Sequence, residues 1–169
     1  NGEYKARAVI IAVGAKRKKM MVPGEEEFLG RGVSYCATCD GPFFRGAAVA
    51  VVGGGDAAIN EALYLSGIAS RVYLIHRREQ FRANKTALEK VMQSPNIELL
   101  TNKIIKAING EQFVKELVIE DVVSHEISKL AVEGLFVSIG LIAAGENIAG
   151  FPQTRNGYVI SDARLETSI

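Results

Sequence analysis

The chain has 169 residues, enough for one domain with a proper core and the edge of another. Hydrophobic residues make up 48% and charged residues 23%, the balance of an ordinary globular chain in water. A net charge of +1 argues against bulk attraction to nucleic acid or to an anionic membrane, and no apolar run approaches the roughly 18 residues of a membrane span.

In chain order, residues 6–13 read as a buried strand ending at Gly14, and residues 15–23 as a basic, extended connector. The charge runs at residues 16–19 and 25–27 read as solvated faces. Residues 33–39 contain both cysteines, with Gly41-Pro42 as a stop just after them. Residues 47–52 form a short apolar strand, and residues 56–66 a helix with apolar positions on one face, ended by Gly67. Residues 71–75 are the next strand. Residues 79–93 read as a second helix stopped by Ser94-Pro95, and residues 97–100 as a third parallel strand. Strand-like runs at 104–108, 114–119 and 126–132 follow at short spacing, with Asn109-Gly110 as a turn; this is the pattern of an antiparallel meander. Residues 134–140 give one more apolar strand. The tail is loop-rich, with residues 156–160 as a candidate hairpin arm. The fold class expected is α/β: a Rossmann-like, three-layer dinucleotide-binding domain of parallel sheet, helices and antiparallel meander.

Gly53-x-Gly55-x-x-Ala58 has the spacing of a dinucleotide-binding turn. Gly53 allows the tight exit from the strand, Gly55 lets a pyrophosphate approach the backbone, and Ala58 lets the helix pack close to the strand. Asp56 and Ala57 open that helix, whose free N–H groups and positive dipole end suit phosphate. About 20 residues beyond the glycines, a site for NAD would place an acid against the ribose hydroxyls. His76-Arg77-Arg78 stands there instead, with Arg82 one turn further on. Guanidinium groups bind a 2′-phosphate that a carboxylate would repel, so the reading is NADP(H).

Cys36 and Cys39 are the only two cysteines, at the spacing of a redox-active CxxC, and Asp40 follows directly. A carboxyl beside a dithiol can give or take the proton as a thiolate leaves. A zinc site would need two further ligands, and the chain offers only His76 and His125, so no metal is expected. A dithiol with no cysteine left for a structural bridge fits a cytoplasmic chain. The start, Asn1-Gly2-Glu3-Tyr4, has neither a signal-peptide nor a transit-peptide pattern and reads as the middle of something longer.

Ser34-Tyr35-Cys36-Ala37-Thr38-Cys39-Asp40-Gly41, the turn from Gly53 to Ala58, and His76-Arg77-Arg78-x-x-Phe81-Arg82-Ala83 resemble the low-molecular-weight thioredoxin reductases in motif, order and interval. Gly24-Glu25-Glu26-Glu27-Phe28, Gly32-Val33 and the run from Gly134 to Gly140 sit as in that family. The resemblance implies a flavoenzyme in which NADPH reduces FAD, FAD reduces the Cys36/Cys39 disulfide, and the dithiol reduces thioredoxin or a thioredoxin-like protein. It implies Asp40 as the proton donor, and Arg77, Arg78 and Arg82 as the phosphate site. It further implies a homodimeric complete protein whose NADPH domain rotates between two positions.

By the same resemblance, residues 1–15 are the end of a first FAD-domain segment, residues 16–134 the NADPH-binding domain with the CxxC, and residues 135–169 the start of a second FAD-domain segment. Most of the FAD site would then lie outside these residues, and the isolated chain would be inactive without it. Departures from the family pattern fall at Val13, Ala57, Asn60 and residues 142–145. Two alternatives stand beside this reading: an NADP(H)-binding module without turnover, and an alkyl-hydroperoxide-reductase-like flavoprotein, which would favour NADH.

Overall fold

A computed structural model describes residues 4–10, 12–144 and 157–167. The chain divides into two compact units: Lys18–Gly140, and a smaller unit of Asn1–Arg17 with Leu141–Ile169.

The larger unit is organised by alternation along its short apolar strands. In β3 (Ala48–Val52), Val49 and Val51 face one core and Ala50 faces another. In β4 (Arg71–Ile75), Val72 and Leu74 join the first core and Ile75 the second. A strand buried on both faces belongs inside a covered parallel sheet. The sheet has five strands in the order β2-β9-β3-β4-β5, with β2 at Val33–Ser34, β5 at Ile97–Leu100 and β9 at Gly134–Val137. Every pairing in it is parallel.

Two helices cover one face. The first, α2 (Asp56–Ser66), buries Ala58, Ile59, Ala62 and Leu65 in a single stripe against the sheet. Complete burial of Ile59 and Leu65 contributes about 1.5–3 kcal/mol each. The backbone N–H of Gly67 closes the helix onto the Tyr64 and Leu65 carbonyls. The second, α3 (Lys85–Gln93), is capped by Asn84, whose side chain accepts from the Thr86 N–H at 2.9 Å. This helix starts later than the periodicity predicts. Residues 79–84 are held out of it by tertiary bonds: Arg82 N–H reaches the Gly54 carbonyl at 2.8 Å and Asn84 N–H the Asp56 carboxylate at 2.7 Å.

The other face is covered by the meander β6 (Lys103–Gly110), β7 (Val114–Asp121) and β8 (Ile127–Ala131), paired antiparallel. Ile105, Ile108, Leu117 and Ile119 pack on Ala50, Ile75, Leu135 and Val137. The three-layer α/β reading therefore holds. Asn109-Gly110 is not the turn, however: both residues remain paired at the end of β6, beside a register irregularity, and the chain reverses just beyond them. The strand β9 pairs with β2 and β3, so the sheet continues past residue 134, where the sequence divides the chain.

In the smaller unit, β1 (Ala15–Arg17) pairs antiparallel with β10 (Leu141–Ala143). The strand anticipated at 6–13 does not form among the described residues of that run; Val9 is 77% exposed and Ile10 93%. An apolar run becomes a strand only where a neighbour offers it a hydrogen-bonding edge, and none of the described strands does so. The hairpin arm anticipated at 156–160 lies partly outside the described residues; within residues 157–160, Val159 makes a single β-bridge.

Candidate functional site

The topology places two chemical centres on the larger unit. At the carboxyl ends of the central strands, Gly53 leaves β3 with φ +157°, and a side chain there would run into the Ser138 carbonyl and the Ala58 methyl. Ala58 is fully buried and acts through this close approach. Gly54 sits directly over the His76 ring, where any side chain would overlap the imidazole. Gly55 is different: a Cβ built on it would meet nothing within 4 Å. It caps α2 without a side-chain acceptor, so the first turn of that helix keeps N–H groups to offer.

These glycines form one wall of a cleft of about 670 Å³, within the usual range of small-ligand sites. Asp56 and Ala57 line it beside them, as do His76, Arg77, Arg78 and Arg82. The three arginines are exposed, and none takes part in the ion pairs seen among the described residues. The bond from Arg82 N–H to Gly54 ties the cationic segment to the glycine turn.

His76 has a structural setting. Its ring packs on Phe81 with centroids 4.8 Å apart, and Nε2 lies 3.2 Å from the Gln80 carbonyl, which can only accept. Burial, followed by the neighbouring arginines, holds its pKa below the ordinary histidine value, against the opposing pull of the Gln80 bond. Around the glycine turn, the positive charge therefore comes from the arginines and not from His76. Asp56 is also committed, its carboxylate accepting the Asn84 N–H.

Lys18, Lys19 and Ser138 line the same cleft and were not singled out by the sequence. Lys19 is paired with Glu26 at 2.6 Å. Ser138 is 6% exposed and its hydroxyl has no partner among the described residues. The lysines lie in a run that reads as a solvated linker; only the return of β9 beside β3 brings them against the glycine turn.

The second centre follows β2 at the sheet edge. Cys36 caps a single-turn helix, α1 (Ala37–Asp40), its sulfur accepting the Cys39 N–H at 3.3 Å. Cys36 and Cys39 are joined as a disulfide with Cα atoms 5.3 Å apart. Cys39 is exposed and Cys36 half-buried. Asp40 accepts the Ser34 hydroxyl at 2.6 Å. An exposed disulfide at a helix start, with a carboxylate one residue on, can exchange with an external thiol or disulfide. The structure thus groups Cys36, Cys39 and Asp40, and separately groups the glycines with the arginines; neither cysteine lines the cleft.

Glu25 corrects the sequence reading. It is 2% exposed, and it accepts the Tyr35 hydroxyl at 2.6 Å and the Met20 and Met21 N–H groups at 2.9 and 2.7 Å. Burial, then Glu25 itself, pushes the Tyr35 phenol pKa well above its ordinary value. Residues 25–27 are one charge run in sequence, but only Glu25 points inward.

The chain matches the pyridine nucleotide-disulphide oxidoreductase family over residues 1–169. It belongs to that family. Among relatives in the pyridine nucleotide-disulphide oxidoreductase family, it is 44% identical to a thioredoxin reductase of Treponema pallidum over 99% of this chain and 55% of the relative. It is 47% identical to one from Escherichia coli O157:H7 over 94% of this chain and 51% of the relative. The crystal structure of Lactococcus lactis thioredoxin reductase superposes with a TM-score of 0.88 at 35% identity, covering 92% of this chain and 52% of that one. The chain spans about half the length of the curated relatives it matches. No helix among the described residues is long and apolar enough to cross a membrane.

Proposed function

We propose that this chain is the nucleotide- and disulfide-bearing part of an NADPH-dependent thioredoxin-disulfide reductase. The observation that supports it most is the pairing, on one compact unit, of a cationic dinucleotide cleft with an exposed Cys36–Cys39 disulfide.

The cleft fits NADPH. The open space at Gly55 and the start of α2 suit the pyrophosphate, and Arg77, Arg78 and Arg82 suit the 2′-phosphate. The larger unit, Lys18–Gly140, is then the NADPH-binding domain. FAD is the cofactor that would relay two electrons between nicotinamide and disulfide. Among the described residues, the cleft at the glycine turn is the cradle that fits a nucleotide, and it suits NADPH. Within this chain, the reduced cysteines exchange with the disulfide of a thioredoxin or thioredoxin-like partner, and Asp40 handles the proton at sulfur. On the resemblance of the whole chain, the complete protein is a cytoplasmic homodimer.

The test uses the complete protein. Serine at Cys36 or Cys39 abolishes thioredoxin reduction and leaves NADPH-driven bleaching of the flavin intact. Loss of bleaching as well would make the cysteines structural. In the same assay, the Arg77→Ala/Arg78→Ala protein loses about 100-fold in NADPH affinity with NADH barely changed. An equal loss for both nucleotides would remove the 2′-phosphate assignment.

A further inference from the structure

Ser34 stands between the disulfide and its acid. It ends β2, which is hydrogen-bonded into the sheet through β9, and it is 4% exposed. Its oxygen accepts the Cys36 N–H at 3.0 Å. Its single hydroxyl hydrogen has two acceptors in reach, Asp40 Oδ2 at 2.6 Å and the Cys36 carbonyl at 3.4 Å. The carboxylate is both nearer and the stronger acceptor, so the hydrogen goes there. A directed chain results, from Cys36 N–H to Ser34 hydroxyl to Asp40 carboxylate. The Asp40 N–H closes the ring on the Cys36 carbonyl at 3.0 Å. Asp40 ends α1, the single-turn helix that Cys36 caps, and the Cys36 N–H and the Asp40 carboxylate meet at the same Ser34 hydroxyl. A helix of one turn has little rigidity of its own. The anchor that sets the direction of the Asp40 carboxylate belongs to the sheet.

We propose that Ser34 is a positioning residue of the dithiol centre, holding Asp40 oriented for proton transfer with the cysteine sulfurs. The inference rests on the disulfide-exchange reading of Cys36 and Cys39. In that step, a thiolate of the reduced pair attacks a partner disulfide, whose S–S bond breaks and releases one thiolate. The remaining cysteine gives its proton to Asp40 and attacks the mixed disulfide, and Asp40 returns the proton to the second leaving sulfur. The first leaving thiolate takes its proton from solvent. The pair loses two electrons and the partner disulfide gains them. Ser34 touches none of the reacting atoms and acts through Asp40 alone.

The experiment follows single-turnover oxidation of the dithiothreitol-reduced pair in the complete protein by oxidised glutathione. This disulfide has alkyl thiol leaving groups that need a proton. Acid quench, alkylation and mass spectrometry count the remaining thiols. Asp40→Asn slows the exchange and flattens its pH dependence. Ser34→Ala slows it about 10-fold, with the same flattened pH dependence, and adds little to Asp40→Asn in the double variant. Ser34→Thr keeps the hydroxyl and stays within about 3-fold of the parent. Retained NADP⁺ affinity at the cleft, which none of these residues lines, shows that each variant is folded.

Ser34→Ala at the parent rate, with Asp40→Asn slow, overturns the role of Ser34 alone. So does a slow Ser34→Ala protein that keeps the parent pH dependence, because the hydroxyl would then only shape the helix start. Asp40→Asn at the parent rate overturns the acid assignment and Ser34 with it. If Ser34→Ala does not fold, Ser34→Thr decides: a rate as low as that of Asp40→Asn overturns the proposal.

Discussion

Single side chains in this molecule take their roles from burial more than from type. His76, Arg77 and Arg78 are consecutive and all basic, yet His76 is 9% exposed beneath Gly54 while the two arginines face the cleft. Burial favours the neutral imidazole, so its folded-state pKa lies below the unfolded value near 6.5. The unfolded chain therefore binds more protons in mild acid. Stability from this residue is complete above about pH 6.5 and declines as the pH falls through the folded-state pKa. His76→Phe keeps the ring on Phe81 and removes the titration. Urea denaturation at pH 7 and pH 5 should show a smaller difference between the two pH values for that variant than for the parent. An unchanged difference would mean that His76 is protonated without cost in the folded state. The basic character of this triplet was legible in sequence. The division of labour within it was not, because it depends on which residue the glycine turn covers.

At the scale of elements, the glycine turn and α2 form as the sequence predicts, since their determinants are local: an apolar strand, small residues at the turn, one apolar stripe and a stop at Gly67. The three glycines are still not equivalent. Gly54→Ala overlaps the His76 ring and should cost about 1–3 kcal/mol of stability. Gly55→Ala points into open cleft from an extended cap with φ −106°, and should cost less than about 1 kcal/mol while weakening NADP⁺ binding by an order of magnitude or more. Chemical denaturation and nucleotide titration of the two variants separate these effects. A Gly55→Ala protein that binds NADP⁺ like the parent would show that no phosphate rests on that backbone. The second helix is the converse case. Its expected first turn is lost to hydrogen bonds from Arg82 and Asn84 to residues of the glycine turn, which no local pattern encodes.

For the whole molecule, the larger unit gathers its two cores on opposite faces of one sheet and fastens the chain entering that sheet with a buried carboxylate. Glu25 joins Met20 and Met21, on the way in from the connector, to Tyr35, the residue before the disulfide. Met21 holds a left-handed conformation at φ 63°, unusual for a non-glycine residue, while its N–H is bound to Glu25. Glu25→Ala strands three donors, and should destabilise the larger unit by about 2–4 kcal/mol. The expected signature is a lower denaturation midpoint with an unchanged slope. A loss below about 0.5 kcal/mol would mean that water replaces the carboxylate freely.

The chemistry that depends on spacing was readable from the chain: the CxxC with its acid, the glycine turn, the arginines one strand later and the alternation of parallel strands with helices. Each motif is set by residues within a turn or a strand of one another, so its spacing shows in the sequence, although strand pairing is what brings the arginines to the glycine turn. Glu25 as an internal anchor, Lys18 and Ser138 on the cleft wall, Ser34 behind Asp40 and the shortened α3 all required the folded chain. The cleft wall and the shortened α3 depend on which distant segments the sheet order β2-β9-β3-β4-β5 places side by side, and the Glu25 and Ser34 contacts on irregular loop geometry that no periodicity encodes. A charge run looks the same in sequence whether it faces water or a half-buried tyrosine. The folded path of the chain decides which, because burial makes an unpaired polar group costly and so fixes the partner it must find.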